Sequence, residues 1–167
     1  MLLFNARTND RGFSMFEIAI VLLIVGILAV IAVPSFISMF NKNSVNDALA
    51  KVQGILKEAQ REAIRKSKTC TVTIPAEGND KTISSSCNVT GDRTLTGINI
   101  DHEKDTDPWL ITFDFKGRTN DLDNQGKLIL TSANNTTSER KCLALSQGLG
   151  IIRTGNYIGI NCITSRQ

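Results

Sequence analysis

The side chains that could take part in catalysis or metal binding are few, and their spacing suits little of either. His102 is the only histidine, so a histidine-based catalytic triad or a histidine-rich metal site is excluded. No residue pattern pairs a nucleophile with a base. We therefore predict that the chain is not an enzyme and that it uses no cofactor.

Two acidic segments deserve a separate test for metal binding. Acids alternate from Asp101 to Asp107, and Asp121 to Gly126 is similar to the first half of a calcium-binding loop. Neither segment has a glutamate at the twelfth loop position, where Thr112 and Ser132 stand instead. We expect solvated acidic loops and no metal site, with bound calcium as the alternative.

The four cysteines are Cys70, Cys87, Cys142 and Cys162. None belongs to a Cys-x-x-Cys pair, which argues against zinc or a redox centre and favours two structural disulfides in an oxidising compartment. Four cysteines permit three connectivities. We predict Cys70–Cys87 and Cys142–Cys162, because each pair brackets a local strand–turn–strand stretch.

An apolar segment near the N-terminus is long enough to cross a bilayer as a helix. It runs from Ile18 to Phe40, about 34 Å as a helix, and contains no small-x-small signal-peptidase site. Arg7 and Arg11 precede it, so the leader should remain in the cytoplasm and the rest of the chain outside. From Phe13 to Val33 its one charged residue is Glu17. An acidic side chain at the centre of an inserted helix costs about 2.5–3.5 kcal/mol, so this position needs an explanation.

The residues around Glu17 resemble the type III signal of type IV prepilins. Arg11-Gly-Phe-Ser-Met-Phe-Glu17 places a glycine, a phenylalanine and then a carboxylate on the fifth residue after the glycine. The resemblance implies cleavage between Gly12 and Phe13 by a prepilin peptidase and N-methylation of Phe13. It also implies that Glu17 compensates the buried amino terminus of a neighbouring subunit in the filament. Pro34 falls where pilins carry a proline, and we expect it to kink the helix.

The rest of the chain predicts a pilin-like α+β fold, in which a long N-terminal helix, first transmembrane and then amphipathic, packs on an antiparallel sheet. The predicted parts are a leader at 1–12, a hydrophobic helix at 13–40 and a globular domain at 41–167, with its helix at 41–67 and its sheet region at 69–163. The helical stripe comprises Val45, Leu49, Val52, Leu56, Ala59 and Ala63. Glu58 and Glu62 should lie on the solvated face and pair there with basic residues. We expect Asn88 to Asp107 to be a disordered or long loop, and "LGIIRTG" and "YIGINC" to be two strands separated at Gly155 and Asn156.

The second half is similar to the GspH/FimT group of minor pilins and pseudopilins. The segment "FDFKGRTNDLDNQGKLILT", followed by a last hairpin, carries this resemblance. Where the group has Gly-Arg-x-Arg, this chain has Gly150-Ile-Ile-Arg153 and lacks one arginine. That motif contacts the DNA backbone in members linked to transformation. A patch of Arg153, Arg118, Arg140 and Lys141 at the last hairpin could therefore bind DNA weakly, and scattered surface charge is the alternative.

Together these features predict a minor structural subunit of a type IV pilus. The alternatives are a pseudopilin of a type II secretion system and a DNA-receptor minor pilin for natural transformation. The implied partners are other pilins or pseudopilins through the N-terminal helix, the prepilin peptidase, the inner-membrane assembly platform and, for the receptor alternative, double-stranded DNA. The precursor should cross the inner membrane once, with its globular domain in the periplasm, before it joins a surface pilus.

Overall fold

The computed structural model describes residues 12–75, 78–103, 108–119, 126–133, 139–146 and 148–164. Its contacts divide the chain into two compact units, one ending at Ile37 and the other beginning at Ser38. The described part of the first unit is three residues without regular structure and the N-terminal portion of one helix. The second unit holds the remainder of that helix and every described strand.

The helix, α1, spans Met15–Lys66. It ends where Ser67 adopts a φ of 50°, a left-handed conformation that closes many helices. The amide nitrogen of Ser67 donates to the carbonyl oxygen of Ile64, and that of Lys68 donates to the carbonyl oxygen of Ala63, each at a distance of 3.2 Å. The predicted end of the helix near Ser67 is confirmed.

In the described residues, eight antiparallel strands form one sheet in the order β4-β1-β2-β3-β5-β6-β7-β8. The strands are β1 (Cys70–Ile74), β2 (Gly78–Ser85), β3 (Arg93–His102), β4 (Trp109–Phe113), β5 (Gly126–Ser132), β6 (Lys141–Leu145), β7 (Ile152–Ile158) and β8 (Asn161–Thr164). The α+β prediction of a long N-terminal helix on an antiparallel sheet is confirmed. The predicted β1–β2 hairpin is also present, with Val72 opposite Ser85.

The core lies between one face of the sheet and the apolar stripe of α1. Alternate strand residues point toward the helix, as in β4, where Trp109, Ile111 and Phe113 are buried. Five of the six predicted stripe residues of α1 are buried, and the sixth, Leu49, is partly buried against the same cluster. The helical periodicity therefore identified the packed face correctly.

Two predictions about the strands are wrong. The segment predicted as a loop from Asn88 to Asp107 contains β3, the longest of the described strands. Its alternation is interrupted at Gly97, which has a φ of 68°, and the interruption hides the period-two pattern. The second error is at Gly155, which was taken as a break between two strands. β7 continues through it, and the turn of the last hairpin lies at Gly159 and Ile160.

Candidate functional site

The candidate site begins at the residues that precede α1. Gly12, Phe13 and Ser14 have no regular secondary structure, and the carbonyl oxygen of Ser14 accepts the first helical hydrogen bonds. Its donors are the amide nitrogens of Glu17, at 3.0 Å, and Ile18, at 3.2 Å. Glu17 thus lies in the first turn, where the helix dipole favours a carboxylate. The position in the first turn therefore stabilises the carboxylate, whereas the apolar surroundings that this segment requires destabilise its charged form.

The apolar segment presents its surface on all sides. Every residue from Gly12 to Ile37 is exposed, including the large side chains of Leu28 and Phe36. By length and composition, α1 is able to cross a membrane. Exposed apolar surface of this extent is unfavourable in water, so it requires lipid or another apolar surface.

Pro34 lies inside α1, which continues on both sides of it. A proline at this position has no amide hydrogen, so it removes one helical hydrogen bond without ending the helix. The predicted kink at Pro34 stays a prediction.

Glu58 of α1 holds the segment after β2, at Val89 and Thr90, against the helix. It is 8% exposed, and its Oε1 accepts hydrogen bonds from the amides of Val89 (2.6 Å) and Thr90 (2.9 Å). Its Oε2 accepts from the Thr90 hydroxyl at 2.5 Å, and Arg93 lies 3.7 Å away. The bond from Thr90 lowers the pKa of this carboxyl, against the opposing effect of burial. The prediction that Glu58 lies on the solvated face is wrong. Its place three residues after Ile55, on the edge of the apolar stripe, was the signal in the sequence.

Gln60 joins the same helix to two turns of the sheet region. Its Nε2 donates to the carbonyl oxygens of Gly117, at 2.6 Å, and Gly150, at 3.1 Å. Gly150 has a φ of 63°, and a Cβ there would lie 2.5 Å from the Gly117 oxygen. Only glycine allows this approach, since a larger residue would separate the turns that Gln60 holds. The sequence analysis did not identify Gln60, whose polar amide gives no periodic signal.

Glu139 connects the sheet to α1 near Ser38, the first residue of this unit. Its Oε2 lies 3.4 Å from Nζ of Lys42, and its Oε1 lies 3.1 Å from Nζ of Lys141. The hydrogen bond from Lys141 lowers the pKa of the Glu139 carboxyl; burial opposes this effect, and Lys42 adds to it. Lys141 also donates to Oδ1 of Asn156 over 2.7 Å, so this group links α1, β6 and β7.

Two disulfides close the globular unit, Cys70–Cys87 and Cys142–Cys162. These are the same pairs that the sequence analysis selected. The second joins β6 to β8 across β7, and Gly155 lies opposite Cys142 on β7. A Cβ at Gly155 would lie 2.0 Å from the carbonyl oxygen of Ile163, so the backbone of β8 approaches β7 more closely than any side chain would allow.

The four cations of the predicted DNA patch have different surroundings. Nη2 of Arg118 lies 3.0 Å from Asp114 Oδ2, and Lys141 is held by Glu139 as described above. Burial alone would raise the pKa of Asp114, but the backbone and side-chain hydrogen bonds from Arg118 outweigh it and lower that pKa. Two of the four positive charges are therefore already compensated by carboxylates.

Arg140 and Arg153 make no ion pair within the described part of the chain. Arg140 lines a groove with Tyr157, while its neighbour Lys141 lines another groove with Leu49 of the helix, so the two face opposite sides of the sheet. Arg153, expected at the tip of the last hairpin, lies instead near the start of β7, opposite Ala144. The structure does not gather the four cations into one patch.

No group of three or more potential metal ligands is found among the described residues. Most of the two acidic segments, at 104–107 and 120–125, lies outside the described residues, so the expectation about calcium stays a prediction. His102, at the end of β3, is buried, with its ring 5.9 Å from that of Trp109.

Comparison with known families adds one finding. The family profile described as the prokaryotic N-terminal methylation motif matches residues 7–33. The match covers Gly12, Phe13, Glu17 and most of the apolar segment. Neither the comparison with curated proteins nor that with solved structures found a match. The chain thus carries the prokaryotic N-terminal methylation motif at the start of a long N-terminal helix that precedes an antiparallel sheet, which is a pilin-like arrangement.

Proposed function

We propose that the protein is a minor structural subunit of a type IV pilus, made as a membrane-anchored precursor and incorporated into the filament through its N-terminal helix. The observation that carries the proposal is the apolar portion of α1, which is exposed on all sides. Its one carboxylate, Glu17, lies within the segment that matches the methylation motif. Such a surface can be buried in two successive environments, first in the lipid of the membrane and then against the helices of other subunits in the filament.

Processing between Gly12 and Phe13 is part of this proposal. A peptidase must bind the chain in an extended form, and Gly12 and Phe13, which flank the proposed cleavage site, lie before the first helical hydrogen bonds, which begin at the Ser14 carbonyl oxygen. A Cβ at Gly12 would meet no atom within 4 Å, so this structure does not require the glycine for its own packing. Its role is then recognition by the peptidase, after which Phe13 is the new amino terminus and the site of N-methylation.

Glu17 serves assembly in this proposal. A carboxylate in apolar surroundings is costly alone, and a positive charge beside it restores much of the loss. The amino terminus of Phe13 on a neighbouring subunit is such a charge, and it is created by the cleavage itself. Processing and assembly are thereby coupled, since an uncleaved neighbour offers no charged amino group at that position.

The proposed partners are other pilins along α1, the prepilin peptidase and the inner-membrane assembly platform. A secretion pseudopilus would use the same helix and the same processing, so the identity of the neighbouring subunits distinguishes the two. We do not extend the proposal to a DNA receptor, because Arg118 and Lys141 are paired with carboxylates.

Replacement of Glu17 tests the proposal. In a strain that assembles these filaments, Glu17→Val should insert into the membrane at least as well as the unchanged chain, because it removes a charge from an apolar helix. Its amount in sheared filaments should fall strongly, measured by immunoblot of the membrane and filament fractions.

Asp47→Val is the matched control, since it removes an exposed carboxylate from the same helix within the globular unit. It should enter filaments normally. Equal incorporation of Glu17→Val and the unchanged chain would contradict charge compensation. Cross-linking followed by mass spectrometry of the filament fraction identifies the neighbouring subunits. If all the links are to subunits required for protein secretion, the protein is a pseudopilin and not a pilus subunit.

A further inference from the structure

The tip of the last hairpin is apolar and exposed. Ile158 at the end of β7 is 60% exposed, and Ile160 in the turn is 78% exposed. Hairpin turns ordinarily carry Gly, Asn, Asp or Ser, and Gly159, with a φ of 63°, already meets the needs of this turn. The hairpin does not need two isoleucines at its tip, so they call for a role outside the fold.

The tip lies at a defined end of the globular unit, because β7 runs back along α1. Two residues before β7 begins, the carbonyl oxygen of Gly150 contacts Gln60 of the helix. About six residues later, Asn156 lines one groove with Leu49. A strand advances about 3.3 Å per residue and a helix about 1.5 Å, so each strand residue passes about two helix residues. The observed pairs agree with that ratio.

The same progression brings the tip level with the first residues of this unit. Lys141 of β6 pairs with Asn156, and the amide of Tyr157 donates to the carbonyl oxygen of Arg140 at 2.9 Å, so the antiparallel pairing continues before β6 and brings Glu139 next to Ile158. The carboxylate of Glu139 is held by Lys42 of α1. The hairpin tip is therefore at the end of the unit where the chain arrives from the apolar segment.

We propose that the tip of the β7–β8 hairpin is a second membrane contact of the precursor, with Ile158 and Ile160 entering the headgroup region of the leaflet that faces the globular unit. The proposal rests on the membrane-anchored precursor described above. A lipid-soluble segment ends at Phe40, so the covalent chain keeps the bilayer surface close to Lys42, and the tip is level with Lys42.

The side chains around the tip fit a lipid surface better than a protein partner. Arg140 and Tyr157 line one groove beside the tip, and Arg140 has no ion pair among the described residues. Aromatic and basic residues are enriched where membranes meet water, and cations there attract anionic headgroups. Isoleucines at the tip with an arginine and a tyrosine behind them reproduce that order with depth. Such a contact would fix the orientation of the globular unit in the membrane and would be released when the subunit enters the filament.

Lipid quenching of tryptophan fluorescence tests the contact in the full-length precursor, reconstituted at one copy per nanodisc. The bilayer consists of phosphatidylethanolamine and phosphatidylglycerol with bromine near the top of the acyl chains. Trp109, the only native tryptophan, is 2% exposed and supplies a constant background. Three variants are compared: Ile160→Trp at the tip, Leu149→Trp in an exposed turn near Gln60, and Leu28→Trp in the apolar segment.

We expect strong quenching of Leu28→Trp, and quenching of Ile160→Trp several-fold greater than that of Leu149→Trp. If Leu28→Trp is not quenched, the membrane-anchored precursor itself is wrong. If Leu28→Trp is quenched but Ile160→Trp behaves like Leu149→Trp, the hairpin contact is overturned and the anchor stands. Quenching of Ile160→Trp only in discs that hold two copies would assign the tip to a second subunit and would also overturn the lipid contact.

Tryptophan itself favours membrane interfaces, so the unsubstituted chain supplies an independent measurement. Amide hydrogen exchange at residues 158–161 should be slower in nanodiscs than in an amphipathic polymer without a bilayer. Exchange at 148–150 should be the same in both. Equal exchange at 158–161 in the two environments would contradict the proposal.

Discussion

Two glutamates on the same helix meet opposite environments, and their roles follow from that difference. Glu58 accepts hydrogen bonds from two backbone amides and one hydroxyl, so its charge is compensated within the subunit. Glu17 is exposed and has no ion pair among the residues that the structure describes. We propose that its compensation comes from another subunit. One carboxylate thus stabilises the fold, and the other is available for assembly.

Replacing Glu58 by glutamine should destabilise the globular unit by about 1–3 kcal/mol, because hydrogen bonds to a charged acceptor are replaced by weaker or mismatched ones. Chemical denaturation of the full chain in detergent, followed by Trp109 fluorescence, measures the loss. Glu62→Gln is the matched control. Glu62 is paired with Arg65 and Lys66 at the surface, so its replacement should have a much smaller effect.

The effect of Glu58 should depend on pH in a defined direction. Its pKa in the folded chain is lowered from the ordinary 4.5, chiefly by the Thr90 hydroxyl. A lowered pKa contributes stability that is complete above the unfolded value and is lost as the pH falls through the folded value. The difference in stability between the unchanged chain and Glu58→Gln should therefore be constant near neutrality and shrink below about pH 4.5. A difference that grows on acidification would contradict the assignment.

At the scale of elements, the last hairpin shows why glycine is ambiguous in a sequence. Gly155 and Gly159 both read as turn residues, yet only Gly159 lies in a turn. Gly155 is inside β7, where the backbone of β8 leaves no space for a side chain. The residues around a glycine do not show whether it lies in a turn or where two strands approach closely, because a close approach depends on the position of the partner strand.

Gly155→Ala tests this close approach. The new Cβ would overlap the Ile163 carbonyl group, so β8 must move away, at a cost of about 1–3 kcal/mol. Formation of the Cys142–Cys162 bond should also be slower, as measured by thiol trapping during refolding. Gly54→Ala is the control: it has open space in mid-helix and should raise stability by about 0.5–1 kcal/mol. Equal stability of Gly155→Ala and the unchanged chain would show that the hairpin accommodates the methyl group.

At the scale of the whole molecule, the sequence predicted what local patterns control. The apolar stripe of α1, the end of the helix near Ser67 and the β1–β2 hairpin each depend on residues close together in the chain. The interactions it missed join distant segments: Glu58 to Val89 and Thr90, and Gln60 to two turns. A single sequence does not show which polar side chain will meet which backbone group, because the pairing is set by the assembled sheet.

The two disulfides should contribute unequally to the stability of the whole unit. Each closes a loop of about 20 residues, which the chain-entropy model values at roughly 3 kcal/mol. Paired serine substitution at Cys70 and Cys87 should cost more than at Cys142 and Cys162, because Cys70 and Cys87 are both buried whereas Cys162 is partly exposed, so one more hydroxyl group is buried. Denaturation midpoints of the two double variants measure the difference. A non-reducing peptide map that joins Cys70 to Cys142 or Cys162 would contradict the pairing itself.

Processing between Gly12 and Phe13 precedes every later step proposed for this subunit, so the mass of the chain in filaments is the most direct measurement. Intact-mass spectrometry of the protein from sheared filaments should give a chain that begins at Phe13, carries one methyl group and contains both disulfides. Gly12→Ala, which keeps a small residue, should give the same product, whereas Gly12→Val should remain uncleaved in the membrane and absent from filaments. A filament-associated chain that begins at Met1, or normal incorporation of uncleaved Gly12→Val, would contradict the proposed route from membrane precursor to pilus subunit.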